Sequence, residues 1–230
     1  MAPDALEIRD RLARARIVLL FTPELAGAAD PLAVLEAAAA WIDVVQIRPK
    51  PLGGGAAAAP CPGRATFDWA ERVLALGAIA RAGVLVTVDD RVDVAVALWP
   101  RGLAGVHVGQ DDMPANAARR LLGPGPLLGL STHDLEQVLE ADEAPVDYLG
   151  FGPVNSTRTK GYERGLGAEA CWIAAQGTGK PLFPIGGIDV LNAGDLARVG
   201  RAAVGSAILS ASDPASAARA IRGALETVES

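Results

Sequence analysis

Polar and charged side chains follow an apolar run at residues 46–50, in the sequence QIRPK. Gln46, Arg48 and Lys50 alternate there, and residues two apart in an extended chain face the same side. An amide, a guanidinium and an ammonium group therefore converge. Such a set favours the binding of a polyanion over the alternative, a solvated rim of basic residues.

Two pairs of adjacent acids follow the next two apolar runs: Asp89 with Asp90, and Asp111 with Asp112. Adjacent residues of a strand point apart, so we do not expect Asp89 and Asp90 to chelate one ion together. Either acid of a pair could instead cap the helix that follows it. If two neighbouring strands each deliver one acid to the same place, the carboxylates form a Mg²⁺ site together with phosphate oxygens and water. A structural salt-bridge network is the alternative.

Hydroxyls and cations are concentrated in the stretch FGPVNSTRTK at residues 151–160. One interpretation is that these polar residues only solvate the end of a strand. The more specific interpretation is that they bind a phosphate. Ser131 and His133 follow another apolar run, and the histidine suits either an acid–base role or an ordinary polar position. A second anion site is predicted from glycines that expose backbone N–H groups beside a serine, and tight turns are the alternative. The residues are Gly186, Gly187, Gly205 and Ser206.

Eight short apolar runs alternate with segments of helical character, among them 67–83 and 189–200, which indicates a parallel sheet covered on both faces. Eight such units predict an α/β fold of the (β/α)8 TIM-barrel type, with an open doubly wound sheet as the alternative. In a barrel of this type, the loops at the carboxyl ends of the strands carry the chemistry. The runs are 17–21, 43–47, 84–88, 105–108, 127–131, 146–152, 181–187 and 202–208.

Composition limits the class of protein. The chain has 230 residues, which we interpret as one domain over 1–230, with a formal net charge of −6 and two cysteines. An acidic chain without a basic block is a poor candidate for binding nucleic acid or an anionic membrane. We find no signal peptide and no apolar run long enough for a membrane span, so a cytoplasmic protein is expected. Whether it forms a homo-oligomer is left open.

One segment departs from the barrel pattern. Residues 53–67 form a low-complexity stretch rich in Gly, Ala and Pro directly after the second apolar run. A flexible insertion is the first interpretation, and a mobile cover over the site is the second.

The motifs together resemble the thiamine-phosphate synthase family along nearly the whole chain. The resemblance is carried by QIRPK, DDRVDVA, GVHVGQDDMP, ARRLLG, GLSTH, DYLGFGPVNSTRTK, and IGGI followed by GSAI. It implies a (β/α)8 transferase that joins 4-amino-2-methyl-5-(diphosphooxymethyl)pyrimidine to a thiazole phosphate, with release of pyrophosphate. It also implies that the pyrimidine C–O bond breaks before the thiazole nitrogen captures the resulting cation.

The resemblance also implies roles for individual residues. Asp90 and Asp112 match magnesium ligands. The diphosphate of the pyrimidine substrate would be held by Gln46, Arg48 and Lys50. Ser131 and Lys160 would contact that diphosphate or the pyrimidine. The residues also counted as catalytic are Arg48, Lys50, Ser131 and Lys160. The thiazole phosphate would be held by Thr157, Thr159, Gly187, Gly205 and Ser206.

The chain departs from the family pattern at three places. Asp89 stands at a substrate-contacting position where the family usually has Asn, so it turns away, joins the metal shell or weakens diphosphate binding. Pro184 cannot donate a ladder hydrogen bond, which predicts a locally irregular seventh strand. Gly205 replaces a larger apolar residue. Two alternative functions remain: a thiazole tautomerase, for which His133 is the relevant residue, and a non-catalytic regulator that binds thiamine intermediates.

Overall fold

The computed structural model describes residues 2–50, 61–155 and 165–226. Its eight strands are parallel and lie in the order β7-β6-β5-β4-β3-β2-β1-β8. The strands are β1 Ile17–Phe21, β2 Val44–Ile47, β3 Leu85–Asp89, β4 Gly105–Val108, β5 Leu127–Thr132, β6 Tyr148–Phe151, β7 Leu182–Pro184 and β8 Ala202–Val204. Each lies within or next to a predicted apolar run, and the (β/α)8 fold is confirmed.

The barrel closes through a narrow seam between β7 and β8. Strand β7 ends at Pro184, which has no N–H to donate, and beyond it an isolated bridge joins Ile185 to Ala203. Among the described residues this is the one β-pairing between the first and last members of the sheet order. The seventh strand is therefore short, as its proline suggests.

Ten α-helices surround the sheet within the described part of the chain. They are α1 Ala5–Arg14, α2 Pro31–Ala38, α3 Gly63–Leu74, α4 Gly77–Ala82, α5 Val92–Leu98, α6 Ala115–Leu122, α7 Leu135–Glu143, α8 Gly167–Gln176, α9 Ser206–Leu209 and α10 Pro214–Glu226. The same described residues contain four 3₁₀ turns: Pro23–Ala26, Ala39–Trp41, Trp99–Arg101 and Ala193–Leu196.

Two predicted helices and one predicted strand need correction. The segment predicted as one helix over 67–83 is two helices, α3 and α4. The segment 189–200 holds only a short 3₁₀ turn, because Asn192 accepts from the Asp189 N–H and Asp189 accepts from the Leu191 N–H. Such local side-chain bonds compete with helix formation. The last run, 202–208, is divided at Gly205 into β8 and α9.

Helix α1 covers the amino-terminal end of the barrel. Asp4 caps it by accepting from the N–H groups of Leu6 and Glu7. Ile8 and Leu12 are 2% exposed and pack into the apolar cluster that includes Tyr148 in the barrel interior. Apolar packing therefore covers the amino-terminal end of the barrel. The polar side chains meet at the opposite end, the carboxyl-terminal mouth.

The segment predicted as a low-complexity insertion is described only in part. Residues 53–60 lie outside the described residues, whereas 63–67 form the first turn of α3 and Cys61 is buried. None of the described helices is long and apolar enough to cross a membrane.

Candidate active site

The cations that follow β2 lie directly against the acids that end β3. The Arg48 Nε atom is 3.1 Å from Asp89 Oδ2, and the Lys50 Nζ atom is 3.6 Å from the same oxygen. Lys50 Nζ also lies 3.0 Å from Asp90 Oδ2. These side chains are mostly buried, and Gln46 on β2 is 4% exposed. The predicted convergence of positive groups is present, and it includes two carboxylates.

The expectation that Asp89 and Asp90 point apart is wrong. Strand β3 ends at Asp89, and Asp90 adopts φ 62°, the left-handed conformation. This turn stops the two-residue alternation of the strand, so both carboxylates reach Lys50. Neither acid caps the following helix through its side chain, because Arg91 occupies the N-cap of α5 and makes no such bond.

Asp90 is also bound to groups on other segments. Its Oδ2 atom accepts from the Cys61 N–H at 3.0 Å, and its own N–H donates to the His107 carbonyl on β4 at 2.8 Å. Burial raises the pKa of Asp90, but the charge of Lys50 and its hydrogen bond outweigh burial and hold the pKa below its usual range. The ionised form of Asp90 is therefore favoured over its neutral form.

Asp112 reaches Asp90 from the neighbouring loop after β4. The two carboxyl groups are in hydrogen-bond contact, and Asp112 Oδ2 accepts from the Gly109 N–H at 2.8 Å. Burial raises the pKa of Asp112, the Gly109 bond opposes this, and the charge of Asp90 adds to the rise. Asp112 does not cap α6, whose N-cap is Pro114, and its neighbour Asp111 is exposed. One acid from each of two adjacent strands thus arrives at one point, as predicted.

Asp89 lies deeper in the barrel. Burial raises its pKa to about 6, the Asp90 charge adds to this, and Arg48 and Lys50 oppose it. Cys61 Sγ is 3.8 Å from Asp89 Oδ2. Burial and then the charges of Asp89 and Asp90 raise the pKa of the Cys61 thiol well above its ordinary value.

Two groups of described side chains have the chemistry of cation ligands. The Cys61, Asp89 and Asp90 ligand atoms lie within 4.8 Å of one another. A protonated thiol is a poor ligand for Mg²⁺, so this set does not fit that ion. Asp90 and Asp112 offer hard oxygen ligands in mutual contact, which a cation between them would stabilise. This pair fits Mg²⁺.

Polar side chains inside the barrel continue the site below the acids. His107 on β4 lies with its Nε2 atom 2.9 Å from Ser131 Oγ on β5. Tyr148 on β6 is buried beside His107, with ring centroids 5.3 Å apart. Its hydroxyl lies near Thr87 and Gln46 without a hydrogen bond of normal geometry, and burial raises its pKa.

Sequence analysis identified Ser131 and Gln46 but missed His107, Tyr148, Thr87 and Cys61. A polar residue in the middle of an apolar strand, as in GVHV and VLVTV, was the available signal for His107 and Thr87. Tyr148 resembled any other core aromatic, and Cys61 lay in a segment interpreted as insertion.

His133 is held by the loop after β6. Its Nδ1 atom lies 2.7 Å from the Gly152 carbonyl oxygen, next to the cis Gly152–Pro153 peptide. Its backbone N–H donates to Gln137 Oε1 at 2.9 Å. The Nδ1 side of the imidazole therefore contacts the main chain of the loop after β6.

The glycines after β7 and the serine after β8 occupy the adjoining part of the mouth. Gly186 and Gly187 have φ values of 103° and 64°, which side chains rarely adopt. The Gly187 carbonyl accepts from Asn155 Nδ2 at 3.0 Å and from Asn192 Nδ2 at 2.8 Å. Gly205 precedes α9, and Ser206 is the first residue of that helix. Thr157, Thr159 and Lys160 lie outside the described residues.

The fold and the site define a (β/α)8-barrel protein whose carboxyl-terminal mouth combines one buried and one partly buried cation with acids from adjacent strands. The chain matches the family described as thiamine monophosphate synthase over residues 17–210. It belongs to this family.

Individual relatives agree with the family match. A thiamine-phosphate synthase of Mycobacterium sp. (strain KMS) is 41% identical over 197 residues, which cover 82% of this chain and 83% of the relative. A thiamine-phosphate synthase of Parasynechococcus marenigrum (strain WH8102) is 45% identical over 145 residues, covering 62% of this chain. The match spans only 41% of that relative's length, and 39% and 40% of two Synechococcus relatives.

A solved structure agrees over a longer span. Thiamine phosphate pyrophosphorylase from Pyrococcus furiosus superposes with a TM-score of 0.76 at 28% identity, covering 95% of this chain and 98% of that one.

Proposed function

We propose that this protein is a transferase that condenses 4-amino-2-methyl-5-(diphosphooxymethyl)pyrimidine with a thiazole phosphate to give thiamine phosphate and pyrophosphate. Membership of the family and the names of its relatives support this function. The observation that carries it is the cluster of Arg48, Lys50, Asp90 and Asp112 at the carboxyl-terminal mouth. Two cations beside a pair of acids suit a diphosphate accompanied by a divalent ion.

The chemistry assigned to this cluster is departure of the diphosphate group. The C–O bond of the pyrimidine breaks, its electron pair leaves with the diphosphate, and the thiazole nitrogen then forms the new C–N bond. Arg48 and Lys50 would bind the oxygens of the leaving group and neutralise the charge that grows there. A reaction of this kind depends mainly on charge neutralisation and on holding two rings in contact.

Asp90 and Asp112 would hold Mg²⁺, which when bound supplies further neutralisation of the diphosphate charge. Asp90 suits this role because Lys50 and the Cys61 N–H keep it ionised. Ser131, held by His107, would bind the pyrimidine or its diphosphate, and buried Gln46 on β2 would contact the same substrate.

A separate subsite would hold the phosphate of the thiazole substrate. The proposed contacts are the backbone of Gly187 and Gly205, the hydroxyl of Ser206, and Thr157 and Thr159. The two Asn side chains that bind the Gly187 carbonyl support a fixed loop at this place. Lys160 would provide a further cation for the diphosphate. The partners in this proposal are small molecules, and two buried free cysteines suit a reducing, cytoplasmic location.

The experiment that tests this function measures pyrophosphate release with both substrates, with and without Mg²⁺, for the wild type, Asp112→Ala and Asp111→Ala. We expect release that requires Mg²⁺ and falls about 100-fold or more in Asp112→Ala, as for loss of a group that stabilises transition-state charge. Asp111→Ala is the matched control, since it removes the adjacent exposed acid, and its rate should stay within about twofold.

Other outcomes would favour the other functions. Binding of the pyrimidine diphosphate without release of pyrophosphate would indicate a regulator. Metal-independent conversion of a thiazole carboxylate phosphate alone would indicate a tautomerase. Full activity of Asp112→Ala would contradict the role given to the Asp90–Asp112 pair.

A further inference from the structure

Asp89 occupies the position of an anion that binds both cations of the site. Its Oδ2 atom lies 3.1 Å from Arg48 Nε and 3.6 Å from Lys50 Nζ. The carboxyl group is buried, with 9% of the side chain exposed, and Lys50 is equally covered. At this depth the attraction between the charges is weakly screened by water.

The two acids of β3 differ in what they contact. Asp90 accepts from the Cys61 N–H and touches Asp112, so it belongs to the acid pair that fits a divalent ion. Asp89 contacts both Arg48 and Lys50 and lies 3.8 Å from the Cys61 thiol. Asp89 is thus placed to neutralise the cations.

The negative charges in the cluster therefore weaken the binding of a diphosphate. Two positive groups, Arg48 and Lys50, face two negative groups, Asp89 and Asp90. An incoming anion meets cations that are already paired, so it must take the place of a carboxylate that the chain itself provides. Such a competitor weakens binding of substrate and product alike, because both present the same diphosphate group.

We propose that Asp89 is a resident counter-ion of Arg48 and Lys50, which a diphosphate displaces, and that it is a positioning residue that sets how tightly the site binds diphosphate and how readily pyrophosphate leaves. The proposal rests on the proposed function in one respect, that the natural ligand carries a diphosphate group. It assigns Asp89 no contact with the reacting atoms. Its effect on the reaction passes through the two cations.

The test compares the wild type with Asp89→Asn, which keeps the shape of the side chain and removes its charge. Binding of inorganic pyrophosphate in the presence of Mg²⁺ is measured by titration calorimetry. We expect Asp89→Asn to bind pyrophosphate at least about fivefold more tightly. In steady-state kinetics, KM for the pyrimidine diphosphate and the inhibition constant of pyrophosphate should both fall by a similar factor, while kcat stays the same or falls.

Two further variants separate charge from structure. Asp89→Glu retains the negative charge and should restore weak binding of pyrophosphate. Asp147→Asn makes the same substitution in another acid that pairs with two cations, Arg9 and Arg119, outside the mouth. Its pyrophosphate affinity should equal that of the wild type.

The outcomes distinguish this proposal from the proposed function. Suppose the wild type binds pyrophosphate and turns over both substrates, and Asp89→Asn binds pyrophosphate equally or more weakly. This result would overturn the counter-ion role of Asp89 and leave the proposed function intact. Absence of pyrophosphate binding in both proteins would overturn both proposals. Should Asp89→Asn fail to fold, a crystal structure of the wild type with pyrophosphate and Mg²⁺ decides: Arg48 and Lys50 must have left Asp89 for the ligand, and persistence of both ion pairs would refute the displacement.

Discussion

The backbone of Asp90 decides which side chains meet at the mouth of the barrel. Its φ of 62° is uncommon outside glycine, although Asp tolerates this region better than most residues. A strained backbone angle of this kind costs about 1–3 kcal/mol and persists only where the surroundings hold it. Here the Asp90 N–H donates to the His107 carbonyl and the carboxylate is bound by Lys50 and Cys61. The result is two consecutive acids on one ammonium group.

A pH-dependent stability follows from the buried carboxyl group of Asp89. Its pKa is raised from 3.8 to about 6 in the folded chain. The folded state therefore binds the proton more tightly than the unfolded state, so stability increases as pH falls through this window. We expect the unfolding free energy of the wild type, minus that of Asp89→Asn, to be about 1 kcal/mol greater at pH 5 than at pH 7.5.

Urea unfolding of both proteins at the two pH values measures this difference. The subtraction removes the contributions of groups that do not interact with Asp89. A difference that does not change with pH, or that increases toward pH 7.5, would contradict a raised pKa for Asp89.

At the scale of elements, two acids that precede strands hold neighbouring strands in register. Asp43, before β2, accepts from the N–H groups of Arg16 and Ile17 at the start of β1 and pairs with Arg222. Asp147, before β6, repeats this arrangement: it accepts from the Leu128 N–H at the start of β5 and pairs with two arginines. Both acids lie at the amino-terminal ends of their strands, where a barrel places stabilising residues.

Removal of the Asp147 carboxylate should destabilise the fold. Asp147→Ala leaves the partly buried Arg9 and Arg119 and the Leu128 N–H without this acceptor. We expect a loss of about 2 kcal/mol in the free energy of unfolding, less than for a fully buried pair because the arginines remain partly exposed.

Asp68→Ala is the control for this loss. Asp68 pairs with Arg64 one turn away on α3, and both side chains are largely exposed. Its removal should change the unfolding free energy by less than about 0.5 kcal/mol. Equal effects of the two substitutions in chemical denaturation would show that Asp147 contributes no more than a surface ion pair.

The strands could be predicted from the sequence because the apolar runs themselves indicate them. Continuous apolar runs indicate buried parallel strands, and all eight strands follow from them. The 3₁₀ turn at 193–196 depends on local bonds of Asn192 with the backbone, and the spacing of apolar residues carries no information on such bonds.

At the scale of the whole molecule, the ring of strands is weakest at the β7–β8 seam. Strands β2 and β3 pair through a ladder from Val44↔Leu85 to Ile47↔Val88. Across the seam, the described residues show one bridge, Ile185↔Ala203. A barrel with a thin closure should open locally there before it unfolds as a whole.

Native-state hydrogen exchange should detect this difference. The amides of Ile185 and Ala202, which bond to β6 and to the residue before β1, flank the seam. We expect them to exchange at least about tenfold faster than the ladder amides of β2 and β3. Uniform protection around the barrel would mean that side-chain packing closes the seam as firmly as a full ladder.

The sequence by itself determined the eight strands, the barrel and the position of the polar side chains that follow each strand. These features depend on short-range periodicity, which is present in the order of residues. It also provided Arg48, Lys50, Asp90 and Asp112 as candidates, and the structure brings their side chains into one cluster.

Only the tertiary structure decided that Asp89 faces the cations, that Cys61 belongs to the site and that His107 contacts Ser131. Each of these contacts depends on a single backbone angle or on the distance between segments remote in the chain. Such quantities follow from the packing of the complete barrel, because that packing alone brings the ends of different strands to within a few ångströms of one another.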